Sequence, residues 1–236
     1  MSKHLSVVVP VYNESKSIKP MLDGLRKEVH NIPFSVSVVY DFDEDTTVPV
    51  VKKIKDRYPF EVRLVKNNLG RGALNAIKTG ISKADGDAVL VMMADLSDRP
   101  SDISRMYTLI EQGYDVVCGS RYMRGGGQDS RTLFKRLMSQ MIGLSLHYII
   151  GIQTHDVTNN FKMYRKDIFR RIKIESTGGF ELAMEITVKA NALGMRITEV
   201  PTVWRDRSAG KSRFNLWGWA PRYFKWYVYA LTHRPR

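Results

Sequence analysis

Residues 5–14 have the sequence LSVVVPVYNE, an almost continuous apolar run that ends in polar residues. Apolar residues at consecutive rather than alternate positions predict a strand buried on both faces, here over residues 5–12. The next stretch, 15–29, has apolar residues at helical spacing and a serine as a candidate cap. A buried strand followed directly by a helix is typical of a parallel sheet covered by helices on both faces.

The same order of strand and helix repeats through about residue 120. Further strands are predicted at 34–42, 60–66, 87–95 and 114–120, and helices at 46–58, 70–84 and 99–113. The predicted fold class is therefore α/β, with a mostly parallel central sheet. Ligands of such sheets bind outside the carboxyl ends of the strands, so the residues that follow each strand are the candidate site residues.

The second half of the chain departs from this alternation. A glycine-rich loop at 124–131 precedes an amphipathic helix, predicted at 130–151, which packs on the sheet or lies in a lipid interface. The remaining predicted elements are a strand at 157–165, a helix at 180–194 ending at Gly194, and a strand at 196–205.

Composition limits the classes of function. With 236 residues and 43% hydrophobic content, the chain suits one large α/β domain or one domain with an appendage. The single cysteine, Cys118, excludes an internal disulfide framework and a cysteine-rich zinc site. The sequence predicts neither a signal peptide nor a membrane-spanning helix, which favours a cytoplasmic location.

The positive charge is concentrated near the C-terminus. The formal net charge is +13, and residues 201–236 hold eight Lys or Arg against one acid. All four tryptophans lie in the same stretch: Trp204, Trp217, Trp219 and Trp226. This mixture suits a membrane–water interface or nucleic acid, and it also suits a basic helix packed onto the domain by its aromatic side chains.

Two carboxylates follow strands of the predicted sheet. Asp41 follows the second strand and Asp95 the fourth, so both would face one crevice. One could accept hydrogen bonds from a nucleobase or ribose, and the other could hold Mg²⁺ or Mn²⁺ on a diphosphate. Asp45 is instead expected to cap the helix that follows it.

Glycines and arginines follow other strands. Arg71 and Gly72 lie at a strand-to-helix turn, where backbone amides can approach a phosphate. Arg121 and the loop at 205–213 supply guanidinium groups for phosphate oxygens, with solvated surface charge as the alternative. His155 is expected to be structural or on the surface, and its neighbour Asp156 is the better candidate for chemistry.

In their order and spacing, these segments resemble the family 2 inverting glycosyltransferases, specifically the polyprenyl-phosphate branch typified by dolichol-phosphate mannose synthase. The resemblance covers about residues 5–213 and implies a GT-A-like nucleotide-sugar-binding fold. It is carried by VVVPVYNE (7–14), NNLGRGALNA (67–76), DVVCGSRY (115–122), DVTNNFKMYRK (156–166) and EVPTVWRDRSAGKSR (199–213).

The resemblance implies three overlapping sets of residues. The nucleotide-sugar set is Pro10, Tyr12, Glu14, Val39, Asp41, Arg71, Gly72, Met93, Ala94, Asp95, Ser97, Arg121, Arg207 and Arg213. The catalytic set is Asp95, Arg121, Asp156 and Arg207, and the acceptor-phosphate set is Arg121, Lys135, Ser139 and Arg207. The implied cofactor is Mg²⁺ or Mn²⁺.

The metal motif departs from the family pattern. The family has Asp-x-Asp, and this chain has Met93-Ala94-Asp95. Asp95 is therefore the one firm predicted metal ligand, assisted by Ser97, with Asp98 as another nearby source of an oxygen. The pattern predicts a modified site of weaker metal affinity.

The implied reaction transfers a hexose from a nucleotide sugar, such as GDP-mannose or a UDP-hexose, to a polyprenyl phosphate with inversion. Residues 1–213 would form the catalytic domain, and 214–236 a basic aromatic helix at an anionic membrane, on its cytoplasmic face. We expect no nucleic-acid partner. The pattern leaves open a homo-oligomer or a separate membrane-anchoring partner.

Three alternatives compete with this hypothesis. One is an electrostatic nucleic-acid binder, which predicts salt-dependent DNA or RNA binding without competition from nucleotide sugars. A transferase acting on a glycan or protein hydroxyl would need a carboxylate base, and the basic acceptor side argues against it. A degenerate, non-catalytic nucleotide-sugar-binding protein would explain Met93 but not the retained Asp95 and arginines.

Overall fold

The computed structural model describes residues 4–129, 133–205 and 216–234, with only the backbone described at 133–135 and 216–219. The strands are β1 Leu5–Pro10, β2 Phe34–Tyr40, β3 Glu61–Lys66, β4 Ala88–Val91, β5 Val116–Ser120, β6 Gly127–Asp129, β7 Lys162–Arg165, β8 Ile197–Pro201 and β9 Val203–Arg205. The helices are α1 Ile18–Glu28, α2 Thr47–Ile54, α3 Ala73–Lys83, α4 Ile103–Glu111, α5 Leu133–Ile150, α6 Leu182–Ala192 and α7 Leu216–Thr232. Short 3₁₀ turns lie at Lys55–Arg57, Pro100–Asp102 and Lys166–Arg170.

Seven strands form one sheet in the order β3-β2-β1-β4-β7-β5-β8. Neighbouring strands pair in parallel except at β7, which is antiparallel to both β4 and β5. The strand that opens the sequence lies inside the sheet, because Val7 is in register with Val36 of β2 and Leu90 of β4. The predicted mostly parallel sheet is confirmed.

Both faces of this sheet are buried. Successive side chains of a strand point to opposite faces, and accordingly Val7 and Val9 belong to one hydrophobic cluster while Val8 belongs to the other. The first cluster includes residues of α1, α2 and α4, and the second includes residues of α3, α6 and α7. This double burial is why strands such as β1 and β4 are almost continuously apolar.

One glycine sets the distance between α3 and the sheet. A Cβ on Gly80 would lie 2.2 Å from Cγ1 of Val8 on β1. Any larger side chain would push the helix away, so the glycine inside this helix is a packing requirement rather than a weakness.

The C-terminal helix α7 packs against the second face. Trp226 is 1% exposed, and its Nε1 donates a hydrogen bond to Oγ of Ser176 at 3.1 Å. The hydroxyl of Tyr227 donates to Oγ of Ser145 on α5 at 3.0 Å. This part of the basic aromatic tail is thus attached to the domain by its aromatic side chains. The predicted boundary at residue 213 lies outside the described residues and stays a prediction.

The structure differs from the predicted elements at several places near the site. The strands predicted at 87–95 and 157–165 are shorter, because β4 ends at Val91 and β7 begins at Lys162. The strand predicted at 196–205 is two strands, β8 in the main sheet and β9, which pairs in parallel with β6 in a separate two-stranded sheet. Strand β6 lies inside the stretch predicted as a glycine-rich loop. Three-residue strands are too short for a periodic pattern, and their pairing depends on contacts between distant segments.

No helix in the described part of the chain is both long enough and apolar enough to cross a lipid bilayer.

Candidate active site

The antiparallel strand β7 brings two distant segments together. Because β7 runs against β5, its amino end meets the carboxyl end of β5, where the amide of Gly119 donates to the carbonyl of Phe161 at 2.9 Å. The loop that precedes β7 therefore lies beside the residues that follow β5. This geometry brings Asp156 to Arg121.

Arg121 and Asp156 form a buried, two-pronged ion pair. Nε of Arg121 lies 2.6 Å from Oδ2 of Asp156, and Nη2 lies 2.9 Å from Oδ1. The two side chains are 10% and 0% exposed. Burial alone would raise the pKa of Asp156, but the charge and hydrogen bonds of Arg121 outweigh it and lower the pKa to about 2. Asp156 is therefore ionised and fully engaged with Arg121, and its contact with a sugar or acceptor stays a prediction.

The guanidinium of Arg121 keeps donors for a ligand. Its Nη2 also donates to Oγ1 of Thr158 at 2.9 Å, whereas none of the described residues accepts a hydrogen bond from Nη1. An arginine held on one side in this way is oriented to offer its remaining N–H groups to phosphate oxygens.

Tyr122 links Arg121 to helix α5. The Cζ atom of Arg121 lies 4.9 Å from the centroid of the Tyr122 ring. The Tyr122 hydroxyl donates to Oε1 of Gln128 at 3.0 Å and shares a short hydrogen bond with Oγ of Ser139. Ser139, a predicted acceptor-side residue, is thus coupled to Arg121 through a tyrosine that is absent from the predicted set. Tyr122 directly follows Arg121 in the sequence, and this adjacency is the signal that could have indicated its role.

The other predicted basic residues cannot be placed. The side chain of Lys135, together with Arg207 and Arg213, lies outside the described residues. Their roles in binding the two phosphates stay predictions.

Asp41 shapes the glycine loop on the opposite side of the crevice. Its Oδ1 accepts a hydrogen bond from Nδ2 of Asn67 at 2.7 Å, and its Oδ2 accepts one from the amide of Gly72 at 2.8 Å. Gly72 has φ of +122°, a conformation that favours glycine. Asp41 therefore holds the turn that leads into α3, and its predicted contact with a nucleotide stays a prediction.

An aromatic platform lies next to this loop. The rings of Tyr12 and Phe42 meet edge to face with centroids 5.6 Å apart, and Cζ of Arg71 lies 5.1 Å from the Phe42 centroid. Tyr12 is 46% exposed. Such surfaces stack against nucleobases. Phe42 is missing from the predicted set, although it directly follows Asp41.

Other residues of the predicted nucleotide set lie in adjacent strands or at a helix start. Pro10 pairs with Val39 in adjacent strands. Val39 is fully buried, and the predicted contacts of both residues with a nucleotide stay predictions. The carboxylate of Glu14 accepts a hydrogen bond from Ser17 at the start of α1. Asp45 has the expected structural role, because its Oδ1 accepts from the amide of Thr47 at 2.8 Å.

The predicted metal motif lies in a tight loop after β4. Ala94 is 2% exposed, Asp95 and Asp98 are each 6% exposed, and Ser97 is 2% exposed. The amide of Ser97 donates to Oδ1 of Asp95 at 3.1 Å. Burial raises the pKa of Asp98 to about 7, with the amide of Met93 opposing the rise and the charge of Asp95 adding to it.

The donors of this loop suit a hard cation. Carboxylate and hydroxyl oxygens are the ligands that Mg²⁺ and Mn²⁺ prefer. Within the described ranges, no group of three or more His, Cys, Asp or Glu residues converges on a metal position. An ion here would need further oxygens from a diphosphate or water, as Mg²⁺ sites commonly do.

Comparison of the sequence with known proteins assigns the chain to a family. Residues 6–173, more than half of the 236, match the sequence profile described as Glycosyl transferase family 2. The chain belongs to glycosyl transferase family 2. The predicted family is confirmed.

Relatives within the family cover most of the chain. The dolichol-phosphate mannosyltransferase of Pyrococcus furiosus is 28% identical over 213 residues, which are 89% of this chain and 58% of the relative. The undecaprenyl-phosphate 4-deoxy-4-formamido-L-arabinose transferase of Pseudomonas syringae is 30% identical over 217 residues, 90% of this chain and 61% of the relative. The chain thus spans about three fifths of the length of these two relatives.

Solved structures confirm the GT-A-like fold of this family 2 member. Glucosyl-3-phosphoglycerate synthase from Mycobacterium tuberculosis, in complex with Mn²⁺, uridine diphosphate and glucosyl-3-phosphoglycerate, superposes with a TM-score of 0.72. The match covers 100% of this chain and 82% of that structure, at 15% sequence identity.

Proposed function

We propose that this family 2 glycosyltransferase transfers a hexose from a nucleoside diphosphate sugar to a polyprenyl phosphate with inversion. The single observation that carries the proposal is Arg121, which is buried, oriented by Asp156 and coupled through Tyr122 to Ser139 on α5. A guanidinium held in this way suits the phosphate of an acceptor or donor. The names of both relatives, one a dolichol-phosphate and the other an undecaprenyl-phosphate transferase, support a lipid phosphate as the acceptor.

The lowered pKa of Asp156 favours a phosphate over a hydroxyl group as the acceptor. A hydroxyl nucleophile needs a general base, whereas a phosphate is already anionic at neutral pH. With its pKa lowered to about 2, Asp156 is a weak base. Catalysis would then depend on positioning and on stabilising charge, which Arg121 and the other basic residues can supply.

A divalent cation fits the donor side of the proposed reaction. Asp95 would hold Mg²⁺ or Mn²⁺, with Ser97 or Asp98 as the nearest further oxygen donors. When bound, the ion would neutralise charge on the diphosphate leaving group. The match to a structure that contains Mn²⁺ and uridine diphosphate supports this choice of cofactor.

Peripheral membrane contact would bring the lipid acceptor to the site. Helices α5 and α7 carry large apolar side chains that are exposed, and we refer to these as the exposed apolar face. Its members are Leu137, Met138, Met141, Tyr148, Ile149, Phe224, Val228 and Leu231. Apolar side chains on a strongly basic protein favour an anionic interface, such as the cytoplasmic face of a membrane.

The proposal is tested by supplying purified protein with Mn²⁺, a panel of nucleotide sugars and either a polyprenyl phosphate or the matching polyprenol. We expect one nucleotide sugar to label the phosphate but not the polyprenol, and Asp95→Asn to abolish labelling. Labelling of the polyprenol instead would support a hydroxyl acceptor. No transfer with any donor would overturn the proposed function.

A further inference from the structure

The loop after β4 closes on itself through Asp98. Oδ2 of Asp98 accepts a hydrogen bond from the amide of Met93 at 3.0 Å. The chain reverses at Leu96, which has φ of +64°. The carboxylate of Asp98 is thereby carried back to the backbone of residue 93, five positions earlier in the sequence.

The two carboxylates of this loop lie close enough for the charge of Asp95 to act on Asp98. Asp95 is held by the amide of Ser97 through Oδ1, and Asp98 is held by the amide of Met93 through Oδ2. Both side chains belong to residues that are 6% exposed. Each is anchored through a hydrogen bond from the backbone of the loop itself, at the carboxyl end of β4.

Asp98 has no ion-pair partner within the described part of the chain, and Arg121 acts on it only from a distance. No Lys or Arg there forms an ion pair with Asp98, and no described group donates a hydrogen bond to its Oδ1. Burying a carboxylate without an opposite charge is unfavourable, and more so beside a second acid. A bound divalent cation would add positive charge directly beside the two acids.

We propose that Asp98 acts with Asp95 to bind the divalent cation, and that it replaces the acidic group that the family pattern places at Met93. This inference rests on the proposed function, because it concerns the metal of the donor site. The thioether of Met93 is a poor ligand for a hard cation, whereas the Asp98 carboxylate, held against the amide of the same residue, is a good one.

The competing explanation gives Asp98 a purely structural role. In that case its only task is to accept the hydrogen bond from the Met93 amide and so close the loop. Asn at position 98 keeps an oxygen that can accept this bond but removes the negative charge. Asp98→Asn therefore separates a loop-closing residue from a metal-binding one.

The test measures binding of Mn²⁺ by electron paramagnetic resonance, in the presence of GDP or UDP and without any sugar transfer. We expect Asp98→Asn to weaken Mn²⁺ binding at least tenfold. The double variant Met93→Asp/Asp98→Asn, which restores the family pattern, should bind within threefold of the wild type. The matched control is Asp102→Asn, because Asp102 lies nearby but accepts a hydrogen bond from Thr202 at 2.7 Å; it should leave Mn²⁺ binding unchanged.

The inference would be overturned if Asp98→Asn bound Mn²⁺ as tightly as the wild type, or if the double variant did not recover Mn²⁺ binding. Asp98→Ser is a second neutral variant in case Asp98→Asn fails to fold, and it should lose affinity in the same way. A wild type that binds no Mn²⁺ would also overturn the inference. A wild type that binds Mn²⁺ through Asp98 but transfers no sugar would contradict only the proposed function.

Discussion

Arg121 and Asp156 show how single residues organise this site. They are 35 positions apart and meet only because β7 is inserted antiparallel beside β5. The pair is buried, so its geometry is set by the surrounding structure rather than by solvent. A carboxylate that is predicted to be catalytic also orients an arginine, and its catalytic role stays a prediction.

Asp156→Asn should destabilise the protein strongly. It leaves the Arg121 charge buried without a partner, which typically costs about 3–5 kcal/mol. The folded pKa of Asp156, about 2, is below its ordinary 3.8, so its contribution is present above pH 3.8 and is lost as the pH falls toward 2. Urea unfolding of wild type and variant at several pH values should show the difference narrowing at low pH.

The control for this prediction is Asp167→Asn. Asp167 pairs with Arg170 on the surface, where both side chains are more than two thirds exposed, and exposed pairs contribute about 0–1 kcal/mol. If Asp156→Asn unfolds at the same urea concentration as this control, Arg121 does not depend on Asp156 as described.

Phe42→Ala should weaken binding of the donor nucleotide. Phe42 contacts Tyr12 on one side and Arg71 on the other, so its loss would disturb the whole platform. Stacking on an aromatic side chain is worth about 1–3 kcal/mol per base, so the Kd for GDP or UDP should rise about tenfold or more by calorimetry. Leu69→Ala, in the exposed part of the neighbouring loop, is the control. An unchanged Kd in Phe42→Ala would show that the base lies elsewhere.

Among the elements, helix α7 has two distinct faces. One face buries Trp226 and Ala230 in the second hydrophobic cluster, which also includes residues of α3 and α6. The other exposes Phe224, which is 64% accessible. A single aromatic and basic segment thus both attaches to the domain and presents apolar surface to its surroundings. Packing onto the domain and contact with a membrane, two of the three interpretations given for this tail from the sequence, are compatible because they would use opposite sides of one helix.

Trp226→Ala should lower the free energy of unfolding by about 3–5 kcal/mol, as for other large-to-small changes in a core. It also removes the donor to Ser176 and the ring that lies 4.8 Å from Nζ of Lys189. Phe224→Ala on the same helix should change stability by less than about 0.5 kcal/mol. Equal urea midpoints for the two variants would mean that α7 is not docked as described.

For the whole molecule, the net charge of +13 and the exposed apolar face should act together at a membrane. Electrostatic attraction to anionic lipid is screened by salt, whereas insertion of apolar side chains is not. The protein should therefore bind anionic vesicles more tightly than neutral ones, and this preference should shrink as salt increases.

Vesicle co-sedimentation checks this expectation. Raising the salt from about 0.05 to about 0.5 M, where the screening length falls severalfold, should release most protein from anionic vesicles. Met141→Ser/Phe224→Ser should reduce the binding that remains, and Leu193→Ser, at an exposed position at the end of α6, should not. Equal binding to neutral and anionic vesicles at low salt would contradict the role of charge.

Much of the framework follows from local sequence alone. Nearly continuous apolar runs indicated β1, β4 and β5, and helical spacing indicated the helices between the strands. Burial on two faces or on one stripe leaves such a pattern in the sequence. The same pattern predicted that the site lies at the carboxyl ends of the strands, because parallel strands end at the same edge of a sheet. The order of motifs was sufficient for the family.

Tertiary structure decided what depends on distant pairing. The antiparallel direction of β7, the β6–β9 pair, the partner of Asp156 and the link from Tyr122 to Ser139 all join segments that leave no periodic signal. Even the return of Asp98 to Met93, only five residues away, depends on the positive φ of Leu96. Hydrophobic patterning specifies which residues are buried, but the contacts among buried polar groups are set only when the chain closes around them.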